Sequence, residues 1–330
     1  MGGSLKGFIR CLPKERLDEL LLVAGVDPGE IDRVDHNLSS WKRADAVLKV
    51  LEQAGPKISE YVYSLVDRAG QFHTAHGLRA LRSVVIAEDL DLQAFDAIED
   101  VRACAVWLLA RSARAFEHAL AANYADSHTF GRMWSGFVFD GPAEMPRINA
   151  PDVRRQFEDE LRDELAKDVL SGRCSFDWFF RVATDPVAGE AKRCIQVTIY
   201  QETRPQIEPQ FTEQGHLTAV TRRPVYEGAI IFDEQSATID VVAKGGLQLR
   251  QKIADMLGNA ISPTEITARA TELRLLDLSR LLGNDPLEVR AEDGITGVWV
   301  ERLTVEKLGC GRTPDNTYRQ PDRSGASFAL

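Results

Sequence analysis

Apolar residues recur every three to four positions through the first third of the chain. Leu12, Leu17, Leu20, Leu21 and Val23 mark one helix, opening at Pro13, and the segment from Val26 to Gly29 turns the chain. Ser39 or Ser40 is placed to cap the next helix, with Ala44, Val47, Leu48 and Leu51 on one side and Gly55-Pro56 at its end. Ile58, Val62, Leu65 and Val66 repeat the spacing, and Leu78 to Ile86 continues it. A long Ala-, Leu- and Arg-rich stretch from Leu92 to about Ala122 predicts more helix.

Tyr124 to Ala150 breaks that rhythm with Phe130, Trp134, Phe137 and Phe139 among glycines and prolines, and predicts an irregular aromatic connector. A charged helix follows over 152–170, with Phe157, Leu161, Leu165 and Val169 as its apolar seam and Ser171-Gly172 as its stop. From Arg173 the period changes to two. Phe176, Trp178, Phe180 and Val182 alternate with Ser175, Asp177, Phe179 and Arg181, and Ile195, Val197 and Ile199 form a second strand. Residues 201–222 are polar with prolines and predict a long exposed loop. Val225–Phe232 and Thr238–Ala243 predict a hairpin, followed by Gly245-Gly246 and a helix over 247–257 ended by Gly258-Asn259. A strand at 272–276, a helical turn at 278–282 and a last strand over 295–308 complete the pattern.

The fold class these elements predict is α+β: an N-terminal α-helical bundle followed by a mainly antiparallel sheet with a packed helix. The expected boundaries are 1–125 for the bundle, 126–172 for connector and charged helix, 173–310 for the sheet domain and 311–330 for a mobile tail.

Charge adds a constraint. The chain carries 40 Lys+Arg against 50 Asp+Glu, a net charge of −10, so neither half is a basic module and nucleic acid is a partner that net charge does not indicate. No apolar run reaches the ~18 residues that span a bilayer. The first residues lack the apolar core of a secretory leader, and Lys6 stands where a myristoylation signal wants Ser or Thr. The five cysteines show no zinc spacing. The expectation is a bacterial, cytoplasmic protein with no metal, no cofactor and no membrane association.

Candidate chemistry is sparse. His73 and His76 share a helix face, but the acid that a zinc helix needs is absent. In the connector, Asp126 and His128 are candidates for an oriented general base, and Arg132 and Trp134 for ligand contacts. On the second hairpin Glu227, Asp240 and Lys244 are the weak candidates for metal-assisted hydrolysis; Val242 occupies the position where a second acid is wanted. Gly245-Gly246, with Lys244 and Arg250 nearby, is a candidate phosphate seat. Arg222 and Arg223, with the aromatic strand at 176–180, are the candidates for stacking a nucleic-acid strand.

The expected function is that of a non-enzymatic interaction or regulatory protein with a protein partner, in a bacterial multi-protein system of the defence or stress kind. The alternatives are a metal-dependent hydrolase or nuclease working through 227–244 or 126–134, and a nucleic-acid or small-ligand binder. An interaction protein should expose an apolar patch, expected on the helical bundle.

Overall fold

A computed structural model of the chain describes residues 5–34, 38–73, 75–139, 145–167, 173–184, 191–212, 214–233, 235–262, 266–271, 302–305 and 316–319. Nine helices come first: α1 (Leu5–Cys11), α2 (Lys14–Val23), α3 (Pro28–Ile31), α4 (Ser40–Ala54), α5 (Pro56–Gly70), α6 (Ala75–Ala87), α7 (Leu92–Asp96), α8 (Val101–Arg111) and α9 (Ala113–His128). Their ends follow local chemistry. Gly55, at φ +95°, separates α4 from α5, and Pro56 starts α5, where a missing N–H costs nothing. The Asp100 carboxylate caps α8 by accepting from the backbone N–H groups of Arg102 and Ala103, and Ser112 caps α9 by accepting from Ala115. The stretch from Leu92, expected as a long pattern of one or two helices, is therefore three helices, opened at Asp91 and cut at Asp100 and Ser112, where these side chains offer the backbone acceptors. Helix α8 is apolar all round and lies at the centre, with Trp107 and Leu108 buried against Phe95 and the α2 leucines.

The sheet half contains β1 (Trp134–Phe139), a short 3-10 turn at Met145–Asn149, α10 (Pro151–Ala166), β2 (Cys174–Thr184), β3 (Ala191–Glu202), β4 (Gln206–Phe211), β5 (Leu217–Arg222), β6 (Val225–Asp233), β7 (Thr238–Val242), α11 (Gly246–Ile261) and β8 (Ala268–Ala270). Six strands form one antiparallel sheet in the order β2-β3-β6-β7-β1-β8. The α+β class is thus the observed one.

Two expectations change. The connector is not irregular: Tyr124–His128 ends α9, and Trp134–Phe139 enters the sheet between β7 and β8. An interior strand has neighbours on both edges and cover on both faces, so its apolar residues need not alternate. Likewise residues 206–222 form a two-stranded hairpin, β4–β5, rather than a loop. A third difference is local. Gly258 does not end α11 but lies inside it, at a point where a Cβ would stand 2.5 Å from Phe139 Cε1. Glycine at this point lets the helix close on β1.

Both faces of the sheet are covered. On one, α10 and α11 bury Phe157, Leu161, Ile253 and Leu257 against Ile195, Val197, Ile230, Phe232 and Val241, with Phe176, Trp178 and Phe180 partly buried beside them. On the other, α9 packs Ala125 against Ala229, Ile231 and Val242, while Phe179 joins the core of the helices. Alternation along β2 thus divides its aromatics between two cores. Residues up to Thr271 form one compact unit and those from Glu272 a second. In the second, β9 (Arg302–Val305) pairs antiparallel with β10 (Asn316–Arg319). The expected strand at 272–276 and helical turn at 278–282 lie outside the described residues. No described helix is long and apolar enough to cross a membrane.

Candidate functional site

The two segments that sequence offered as separate candidates, 126–134 and 227–244, meet in space. Register pairs Trp134 with Val242, the indole N–H of Trp134 donates to Asp240 Oδ1 at 2.9 Å, and the Tyr124 hydroxyl donates to the Glu227 carbonyl at 2.6 Å. Between them lies a group that sequence did not single out. The Arg181 side chain, from β2, is 4% exposed and places its guanidinium 2.8 Å from Asp126 Oδ1. Attraction to Asp126 offsets the cost of burial and keeps Arg181 firmly charged. Arg181 Nε has no hydrogen-bond partner among the described residues. Burial raises the Asp240 carboxyl above its ordinary value, against the pull of the Trp134 N–H and of Arg181. On the neighbouring strand, buried Gln196, opposite Phe179, donates to the Ala121 carbonyl on α9 at 3.0 Å.

A second polar contact joins the same helix to the same strand. His118 is buried and stacks flat on Phe179 at 4.2 Å. Its Nδ1 lies 3.2 Å from Glu88 Oε1 and its Nε2 3.3 Å from Asp177 Oδ2. The imidazole holds the Asp177 carboxyl below its ordinary range.

The other candidates do different things from those expected. His128 does not orient on Asp126, since residues two apart on a helix do not face each other. Its Nδ1 is 2.8 Å from the Tyr124 carbonyl and its ring lies against the Tyr124 ring. Lys244 does not join Asp240: the chain leaves the strand after Val242, Gly245 takes φ +110°, and the Lys244 ammonium sits 4.5 Å from the Tyr226 ring centre. Glu227 is partly buried beside α9, and burial pushes its carboxyl up to about 7, with Glu117 adding like-charge repulsion. Arg132 is exposed. Beside it Phe130, at φ +64° and 59% exposed, lies over the Trp134 ring. At the Gly245-Gly246 turn, Arg250 is directed inward, donating to Ser135 Oγ and the Ala243 carbonyl. His73 and His76 bond locally, to the Gly70 carbonyl and to Arg79. Among the described residues no three His, Cys, Asp or Glu side chains converge as a metal site.

No protein-family model matches the chain, and a search of curated proteins finds no relative. Chemistry must therefore be read from the residues alone. The Asp126 carboxylate is engaged by Arg181, which ties α9 to β2, and the Asp240 carboxylate by Trp134, which ties β7 to β1.

The arginine-and-aromatic surface also resolves differently. Arg222 lies 2.8 Å from Gln210 Oε1 and 3.7 Å from Glu208, and Arg223 lies 3.6 Å from Glu202. Each arginine thus has a carboxylate beside it. Trp178 stacks edge-on against Phe157 of α10 and donates to Glu158 at 2.7 Å, while Phe176 and Phe180 lie under Arg162 and Arg193. These rings are partly covered rather than presented as an open platform for bases.

What remains open is the β4–β5 hairpin. Register places Ile207 opposite Thr221, Pro209 opposite Ala219 and Phe211 opposite Leu217, so these six share one face. Gln206, Glu208, Gln210, Thr218, Val220 and Arg222 take the other, which the Arg222 contacts corroborate. The first face is solvent-exposed: Ile207 is 76%, Phe211 70% and Leu217 64% accessible. The sequence signal was present as period-two alternation on either side of Gln214-Gly215, but three prolines between 205 and 224 disguised it as loop.

Proposed function

We propose that this chain is an interaction or regulatory component of a bacterial multi-protein system, of the defence or stress kind, and that it engages its protein partner through the β4–β5 arm. The observation that carries the proposal is the continuous apolar face of Ile207, Phe211 and Leu217, standing in solvent. Isolated hairpins are marginal in water, and an uncovered apolar ribbon marks an interaction site. On the helical bundle, where a patch was also expected, Leu22, Trp41, Tyr61, Tyr63 and Leu78 are exposed on four helices. A cytoplasmic setting fits the four described cysteines, all free thiols.

The test compares the tagged wild type with the Ile207→Asp/Phe211→Asp variant, each captured from the native host with nuclease treatment. A stoichiometric protein held by the wild type and lost by the variant supports the proposal. A protein held equally by both, or recovery of nucleic acid alone, overturns it and returns attention to the hydrolase and nucleic-acid readings.

A further inference from the structure

We infer that the occupant of the arm's apolar face is a second copy of this chain, two arms packing face to face about a two-fold axis. This rests on the arm being the docking element. Three observations select a copy rather than a partner of different chemistry.

The first is charge. The chain carries −10 overall, so two copies repel wherever their general surfaces approach. The apolar face has no charged residue, and the Glu208 and Arg222 pair of the opposite face neutralises itself. The arm is a place where two such chains meet without that penalty, and it offers nothing for a strongly charged partner to read.

The second is symmetry. The largest rung, Phe211–Leu217, stands at the tip, Ile207–Thr221 at the base, and the small Pro209–Ala219 rung between them. An isologous contact requires a surface complementary to itself. Antiparallel stacking of two ribbons sets each tip rung on the other copy's base rung and the Pro209–Ala219 rungs together at the axis.

The third is area. Side chains of this size bury on the order of 150–250 Å² when aromatic, and somewhat less when aliphatic. At the observed exposures, Ile207, Phe211, Leu217 and their smaller neighbours offer roughly 400–500 Å² per copy, or roughly 800–1,000 Å² for a pair. That lies below the roughly 1,200–2,000 Å² of stable specific interfaces and within the range of weak, transient ones, so the expected dimer is reversible and concentration-dependent.

Sedimentation velocity of the full chain, from about 0.1 to about 100 µM, spans the affinities expected of such an interface. The expected result is a monomer–dimer transition that Ile207→Asp/Phe211→Asp weakens by at least about 100-fold, as loss of a central apolar anchor does. Leu22→Asp, at an exposed position on α2, should leave it unchanged. Circular dichroism of each variant confirms that the fold is retained. If the arm variant unfolds, Ala219→Cys in a Cys11→Ser background replaces it, and a disulfide-linked dimer under oxidation is the expected outcome. A wild type that stays monomeric throughout, or a dimer indifferent to the arm, overturns self-pairing. The monomeric outcome leaves the arm's role to be decided by the capture experiment, so the two proposals fail separately.

Discussion

Replacing Asp126 by Asn removes the carboxylate paired with Arg181 and leaves the guanidinium enclosed between α9 and the sheet. Arg181 is 4% exposed, and its Nε already lacks a partner among the described residues. Breaking a buried pair from one side costs about 3–5 kcal/mol. Asp126 is itself 26% exposed, which reduces its share, and about 3 kcal/mol is the working figure. For a unit of this size that corresponds to a fall in melting temperature of about 6–12 °C. Replacing Arg181 by Met as well removes the stranded charge, and the double variant should recover most of the loss. Differential scanning calorimetry of wild type, both single variants and the double variant closes the cycle. If Asp126→Asn melts within about 2 °C of wild type, a shift worth under about 1 kcal/mol, the guanidinium is not stranded and the ion pair is not what secures α9.

Three further outcomes follow from the same packing. Glu227 holds its proton in the folded state up to a pH of about 7 but releases it near 4.3 when unfolded, so stability falls as pH rises between those values. Glu227→Gln should therefore match wild type at about pH 4 and exceed it above pH 7 by about 1–2 kcal/mol, allowing for residual solvent screening; equal stability at both ends refutes the burial argument. Asp177, held low by His118, contributes stability that is present above its unfolded value and lost as pH falls through its folded one. Asp177→Asn should flatten the acid limb of the stability curve by less than about 1 kcal/mol, since the side chain is 38% exposed; an unchanged limb in denaturant titrations counts against the His118 contact. Gly258→Ala would ordinarily favour a helix, but here the new methyl meets Phe139, and a loss of about 1–3 kcal/mol is expected in place of a gain.

The regular elements were legible where one physical pattern dominated. Helices α4 and α5 follow from apolar spacing and the Gly55-Pro56 break, and β2, β3, β6 and β7 from alternation. Strand β1 was hidden because cover on both sides erases alternation, and the arm because prolines are ordinarily absent from strands. The site was half legible. Asp126, Trp134 and Asp240 stand out as polar groups in apolar company, yet nothing local in sequence joins them. Arg181 escaped notice because a charge on an alternating strand reads as a solvent-facing residue, and only the docking of α9 turns that face inward. His118 was concealed in the same way, within a run of alanines.

That run of alanines has its own consequence. The buried side of α9 carries Phe116, His118 and Asn123 among five alanines, Ala115, Ala119, Ala121, Ala122 and Ala125, which leave much of it with low ridges. Such a helix can approach the sheet closely, but ridges fitting grooves do little to define its position along its own axis. Sliding it by one turn, about 5.4 Å, would exchange Asp126 for Ala122 opposite Arg181. His118 and Asp126 stand about 12 Å apart along the axis, and each reaches β2 through a charged or polar contact that tolerates no such slip. Together with the Tyr124 hydroxyl on the Glu227 carbonyl, these two side chains index the helix to one longitudinal setting, and a substitution at His118 or Asp126 would show first as a loss of alignment between the helical layer and the sheet.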